Sequence, residues 1–230
     1  MMKVLDSAVP VACWSCSVAH NESTLFCPHC SKIQPPQVGD YFSVFSLEPM
    51  LNIDLAALEQ EFHRLSRRLH PDRFARATYS EKEWSLADTA LLNDAYRTLK
   101  DPLRRTEYLL KRSGAEIGEE HSGKDRRDPS RAPADLLEEV FDLNMQLEEM
   151  RMGRAAGEVD PQLQKDLTEA KKKFDGLLNE VDRDLRELWN AWDEGGEAER
   201  KAAQNTMVAL LDRRRYLNNL VRDVTETLGA

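Results

Sequence analysis

A single stripe limits this chain most. Leu163, Leu167, Ala170, Phe174, Leu177, Val181, Leu185, Leu188 and Trp192 recur at steps of four and three. That spacing gathers all nine on one face of an α-helix, whereas a strand, with its period of two, would scatter them over both faces. After "EGGE" (194–197), Met207, Leu210, Leu217, Val221, Val224 and Leu228 repeat the pattern. Leu136, Leu137, Val140, Phe141 and Leu147 mark a shorter helix before it. Three amphipathic helices with short connections predict a bundle over 133–230.

The middle of the chain is helical in period too. Leu55, Leu58, Phe62, Leu65 and Leu69 share a face; Asp54 stands at the N-cap position and Pro71 ends the pattern. A second helix starts near Ser80, with Trp84, Ala87, Leu91, Ala95 and Leu99 on one side. Asp101-Pro102 closes it and opens another that carries Leu103, Tyr108 and Leu109, since proline suits a first turn. Two antiparallel helices joined by a tight "HPD" connection make a helical hairpin. The expected class is therefore mainly α: a small N-terminal zinc knuckle or ribbon, a helical hairpin with flanking helices, and a C-terminal three-helix bundle.

Punctuation sets the boundaries. "SKIQPPQVGD" (31–40) reads as a linker. "SGAEIGEEHSGKDRRDPSRAP" (113–133) is polar, nearly free of large apolar residues, and reads as a flexible connection. The expected segments are 1–39, a tetracysteine element with its linker; 40–113, the hairpin domain; 114–132, a linker; and 133–230, the bundle. The net charge of −9 lies mostly in the last segment, with 14 basic and 22 acidic residues from Pro133 onward against 18 and 19 before it. An acidic half argues against nucleic-acid binding by counterion release and suits a basic protein partner or a well-solvated surface. No apolar run approaches the roughly 18 residues of a membrane span. "MMKVLDSAVPVACW" has neither signal-peptide nor presequence character. A cytoplasmic protein is the expectation, or a mitochondrial-matrix one if a presequence has been removed.

All four cysteines fall within eighteen residues, as Cys13-Trp-Ser-Cys16 and Cys27-Pro-His-Cys30. Two C-x-x-C pairs can grip one tetrahedral ion, and four thiolates satisfy Zn²⁺ fully, so the spacing predicts a single structural zinc ion. Two disulfides would need an oxidising compartment. A redox C-x-x-C would open a helix after a strand, a context missing here. His20 and His29 are expected in loops, outside the ligand set.

"RRLHPDRF" (67–74) puts histidine, proline and aspartate together after a basic helix. A catalytic reading needs a nucleophile or a substrate site, and no Gly-rich phosphate loop, serine elbow or free cysteine accompanies it. A second reading makes His70 a simple helix-terminal cap. The third rests on more residues. "DYFSVFSL" (40–47), the amphipathic helix, "HPD" (70–72) and "LLNDAYRTLKDPLRRTEYLL" (91–110) follow one another in the order that resembles the J-domain family. These are co-chaperones that stimulate ATP-driven chaperones of the DnaK class. The resemblance implies that His70, Pro71 and Asp72 contact the chaperone's ATPase, with Arg64, Arg67, Arg68 and Arg73 as a basic face for an acidic patch. It also implies no catalysis by this chain: the contact biases the partner toward its hydrolysing conformation.

The general folding co-chaperones carry a Gly/Phe-rich stretch and C-x-x-C-x-G-x-G repeats, and neither occurs here. A tetracysteine element with "CWSC" and "FCPHC", then a J-domain with "DPLRRTEYLL", then an acidic bundle resembles the HscB family (Jac in yeast mitochondria), which serves iron–sulfur cluster biogenesis. That likeness implies an IscU-type scaffold held on "LLEEVFDLNMQLEEM" (136–150) and delivered to a DnaK/HscA-class ATPase. Leu137, Phe141, Asp142 and Met145 fall on the family's contact helix, and Tyr216 where the family has an aromatic. Glu138 and Met145 depart from the pattern, an acid standing in place of an apolar residue and the reverse. Rival readings are a J-protein for a different client, a zinc-ribbon nucleic-acid binder and a thiol oxidoreductase. The tetracysteine element can dock on the J-domain, mediate self-association or meet a partner.

Overall fold

The computed structural model describes residues 11–20, 24–36, 40–118 and 133–229. The leader reading (1–14) falls largely outside the described residues, as does most of the expected linker at 114–132. The chain divides into two compact units, Met1–Leu109 and Leu110–Ala230.

The first unit opens with a two-stranded antiparallel ribbon, β1 (Val11–Ala12) and β2 (Ala19–His20), paired Val11 to His20. It continues with α1 (Tyr41–Val44), α2 (Leu55–Leu69), a 3₁₀ turn at Pro71–Phe74, α3 (Tyr79–Lys100) and α4 (Pro102–Arg112). Each start has a chemical cause. Asp54 Oδ1 accepts from Ala56 and Ala57 N–H. Thr78 and Glu81 form a reciprocal capping box. Asp101 caps α4 through Leu103 and Arg104 N–H. The α2–α3 hairpin packs Leu58, Leu65 and Leu69 against Leu92, Ala95 and Leu99, with Phe42 and Leu51 completing the core. Phe62 stacks on Tyr96 at 4.0 Å. The hairpin is tied from behind by α4: buried Arg105 donates to the carbonyls of Leu51 (2.9 Å) and Leu99 (2.5 Å). Tyr108 bridges the Tyr41 N–H and Asp40 Oδ1 at 2.9 Å each.

The buried face of α3 differs from the expected one over its first half. Glu81, Ser85, Asp88 and Leu92 face inward, while Ala87 is exposed and Leu91 half-buried. Ser85 belongs there because α3 meets the last turn of α2, whose carbonyls have no partner within their own helix, and Glu81 accepts from Thr78 and Lys32. Ser85 Oγ donates to the Leu69 carbonyl at 2.6 Å. Leu55, expected on the core face of α2, sits in the first turn and is exposed.

The second unit holds a 3₁₀ turn at Ala134–Leu136, α5 (Leu137–Ala156), α6 (Pro161–Glu187), a short α7 (Trp189–Glu194) and α8 (Glu197–Leu228). Asp160 caps α6. Gly157 ends α5 at φ 78°, a left-handed position that glycine fills without strain. Helices α5, α6 and α8 close the expected bundle around Val140, Leu147, Leu167, Phe174, Met207, Leu217 and Val224. Arg213 forks onto Asp135 at 2.8 Å, and Lys173 reaches Glu139 at 2.6 Å. Two details depart from the periodic reading. The stripe does not run unbroken to Trp192: the backbone tightens at Leu188 (ψ −13°), and Trp192 belongs to α7. In α8, Leu211 and Leu220 take the core places expected of Leu210 and Val221, which are half-buried.

Candidate functional site

The HPD turn is built by its own three residues. Proline at 71 excludes helical backbone at His70, which is extended at φ −56°, ψ 130° and so ends α2. Pro71 then starts the 3₁₀ turn. His70 Nδ1 accepts from the Asp72 N–H at 3.3 Å, and the Arg73 N–H bonds to the His70 carbonyl at 3.0 Å. Histidine thus clamps the loop, while the Asp72 side chain remains 91% exposed. The carboxylate is thus held on a stiff turn and open to water.

The basic face divides once its partners are placed. Arg67 and Arg73 are exposed. Arg64 forks onto Glu61, with Nε to Oε2 at 2.7 Å, which holds the Glu61 carboxyl below its usual range. The Arg68 guanidinium lies 3.9 Å over the Phe26 ring, a cation–π contact from the hairpin to the cysteine element. Burial lowers the Arg68 pKa, and the positive charges of Arg64 and Arg73 lower it further.

The four cysteines converge. Their sulfurs all lie within 4.8 Å of one another, with Cys13–Cys30 at 3.6 Å and Cys16–Cys27 at 3.7 Å. Tetrahedral ligands at a Zn–S distance of about 2.3 Å would stand about 3.8 Å apart. Each C-x-x-C is a matching knuckle. Ser15 N–H points at Cys13 Sγ and His29 N–H at Cys27 Sγ, both at 3.4 Å. Ser17 and Ser31 turn the chain at φ 61° and 59°. Burial raises the Cys13 thiol pKa, but the N–H groups of Cys16 and Ser15 and the sulfurs of Cys16 and Cys30 bring it to about 6. The Val18 backbone favours the Cys16 thiolate, yet burial and the other three sulfurs push it up to about 12. Four sulfurs sharing so little space cannot all ionise alone, and a bound cation removes that conflict. The cluster can hold a metal ion. His20, expected in a loop, is in β2 and buried, bonded to Gln34 Oε1 (3.1 Å) and Thr24 Oγ1 (3.0 Å). It braces the element without ligating.

The element is docked on the hairpin through Trp14 and Phe26, two of the apolar residues (with Leu25) that the sequence offers for a small interface, and through Lys32, which it does not single out. Trp14 meets Trp84 edge-on at 5.7 Å, and its Nε1 donates to the Ile33 carbonyl at 2.7 Å. Lys32 Nζ reaches Glu81 Oε1 at 2.9 Å.

On α5, Leu137, Phe141 and Met145 are 48%, 61% and 58% exposed and lie four apart. They form a ridge with exposed Asp142 beside it. Met152, 67% exposed, continues the ridge two turns on and was overlooked, although its step of seven from Met145 was visible. Tyr216 is different. It is buried at 9% exposure between bundle helices, so it packs the core and offers little surface.

No protein-family profile matches the chain. The curated mouse protein named iron-sulfur cluster co-chaperone protein HscB is 35% identical over 152 residues, covering 64% of this chain and 62% of that protein. The chain thus matches less than two thirds of that relative's length. The crystal structure of human co-chaperone protein HscB superposes with a TM-score of 0.65 at 26% identity, covering 94% of this chain and 98% of that one. Chaperone HscB from Vibrio cholerae shares the fold, with a TM-score of 0.55 over 82% of this chain and 96% of that one. A helical hairpin closed by an exposed His-Pro-Asp turn defines a J-domain protein. Its cysteine knuckles, its bundle and these likenesses narrow the class: the chain is similar in sequence and fold to HscB co-chaperones. Among the described residues, no helix is long and apolar enough to cross a membrane.

Proposed function

We propose that the chain is an adaptor with no catalytic chemistry of its own. It holds an IscU-type iron–sulfur scaffold on α5, brings it to a DnaK/HscA-class ATPase, and triggers ATP hydrolysis through the HPD turn so that the cluster is passed on. The observation that carries the reading is the Asp72 carboxylate, presented to solvent on a proline-stiffened turn that His70 clamps. A preformed turn loses little entropy on docking, and the arginines of α2 and Arg73 speed encounter with an acidic partner. His70, Pro71 and Asp72 bias the ATPase because they bind its hydrolysing state more tightly than its resting state.

The ridge of Leu137, Phe141 and Met145, with Asp142, supports the scaffold half of the reading. Large apolar residues lined up in water on one helix are an interaction surface. Tyr216 would act by keeping the bundle in shape. The segments 40–113 and 133–230 would then carry the two contacts, and the cysteine element would hold one structural Zn²⁺.

The test is steady-state ATP hydrolysis by an HscA-class chaperone with the chain alone, an IscU-type scaffold alone, and both. The expected result is synergy that needs both proteins and disappears with His70→Gln or Asp72→Asn. Stimulation indifferent to the scaffold would leave a J-protein with another client, and no stimulation would overturn the reading.

A further inference from the structure

The cysteine element and the hairpin touch at Trp14 on Trp84, at Phe26 under Arg68 and at Lys32 on Glu81. Between and beside these contacts lies an open cleft of about 620 Å³. One wall is the knuckle edge, with Phe26 and Lys32; the other is α2 and the HPD turn, with Arg64, Arg68 and Arg73. Four cations line the cleft against one carboxylate, Glu81. Lys32 offsets Glu81 and Arg64 offsets Glu61. The remaining excess is positive and comes from Arg68 and Arg73. Both apolar and cationic groups are present, and the volume suits a few residues of extended peptide. Arg73 follows Asp72 directly, so the cleft is continuous with the HPD turn.

We propose that the cysteine element completes the chaperone-docking surface: its edge is the second wall of a basic cleft that takes an acidic segment of the same ATPase that the HPD turn engages. This rests on the reading of the HPD turn as the chaperone contact. The metal then has a use at a distance from its ligands. By holding the second knuckle it fixes Phe26, and Phe26 holds the Arg68 guanidinium at the cleft wall rather than free in water. An acidic segment would meet oriented guanidinium groups, which bind carboxylates with geometric selectivity.

The experiment places a negative charge inside the cleft and the same charge outside it. Ser31→Glu adds a carboxylate to the knuckle wall, whereas Val18→Glu adds one on the same element at a residue that does not line the cleft. Both full-length proteins are titrated into an HscA-class chaperone with ATP, metal content is measured in parallel, and Asp72→Asn serves as reference. The expected result for Ser31→Glu is about a five- to tenfold higher concentration for half-maximal stimulation, with the plateau unchanged, since charge reversal at a docking surface acts on encounter and affinity. Val18→Glu should match wild type. If Ser31→Glu retains its metal and matches wild type while Asp72→Asn abolishes stimulation, the cleft proposal fails and the HPD reading stands. If wild type does not stimulate, both fail. Should Ser31→Glu lose its metal, Phe26→Leu decides instead. It keeps an apolar residue and removes the ring under Arg68, and wild-type behaviour from it would overturn the proposal.

Discussion

Asp88 offers a quantitative check on the packing of the hairpin. It is fully buried on α3, and neither carboxylate oxygen has a hydrogen-bond partner among the described residues. Burial alone pushes its pKa from 3.8 up to about 7. Because the folded-state value is raised, the folded protein binds a proton that the unfolded chain has already released between those two pH values. Stability therefore falls as pH rises from about 4 to about 7 and levels off above. Each pKa unit is worth about 1.36 kcal/mol, so the full penalty at pH 8 is at most about 4 kcal/mol, and the part added between pH 5 and 8 at most about 3. Local relaxation and water entry will reduce that part to about 1–2 kcal/mol. Asp88→Asn preserves shape and removes the ionisation. Urea unfolding of both proteins at pH 5 and pH 8 gives a difference of differences that cancels other titrating groups, the thiols included. The expected outcome is that Asp88→Asn gains about 1–2 kcal/mol on wild type between pH 5 and pH 8. An equal effect at both pH values, or a variant that loses ground at pH 8, would refute the picture of an unpaired buried carboxylate.

Four further outcomes follow from the structure. Chelation of the metal should free four thiols to a thiol reagent and perturb Trp14 emission, while the helical signal of the bundle persists, because the cluster closes only the element around 11–36. Phe141→Ala and Met145→Ala should change stability by less than about 0.5 kcal/mol, as exposed positions do, yet weaken scaffold binding about tenfold or more in a titration. Phe174→Ala, deep in the bundle, should cost about 3–5 kcal/mol in chemical denaturation. Arg105→Ala should destabilise the hairpin by about 2–3 kcal/mol in the same assay, since it leaves the buried carbonyls of Leu51 and Leu99 without their charged donor.

Helix limits were legible wherever a side chain closes them. Asp54, Asp101 and the proline after His70 act locally, so their effect can be read from neighbours in sequence. The cysteine pairs were legible for the same reason, since a C-x-x-C knuckle folds on its own backbone. Inward faces were legible where packing is apolar, as in α6 up to Leu185. They were not legible in α3, where Ser85 and Asp88 face inward and apolar periodicity is silent. The break at Leu188 replaces one continuous helix with two, and apolar spacing carries across it unchanged. Tyr216 looked like a contact residue because resemblance reports which residue stands at a position, not which way it points. The docking of the knuckles depends on Phe26, Lys32 and Glu81, which meet only after both pieces have folded.

Glu81 answers to two masters. Its Oε2 takes the Thr78 N–H and hydroxyl at 3.0 and 2.9 Å, while its Oε1 takes Lys32. In a chain without cysteine knuckles, glutamine could fill the capping position about as well. With the knuckles present, only the charged side chain serves helix and lysine together. Position 81 is therefore a place where drift should be tolerated in one lineage and forbidden in the other. A glutamine there would separate the two tasks: α3 would still begin at Tyr79, and the cysteine element would lose its ionic contact with the hairpin while keeping its aromatic ones.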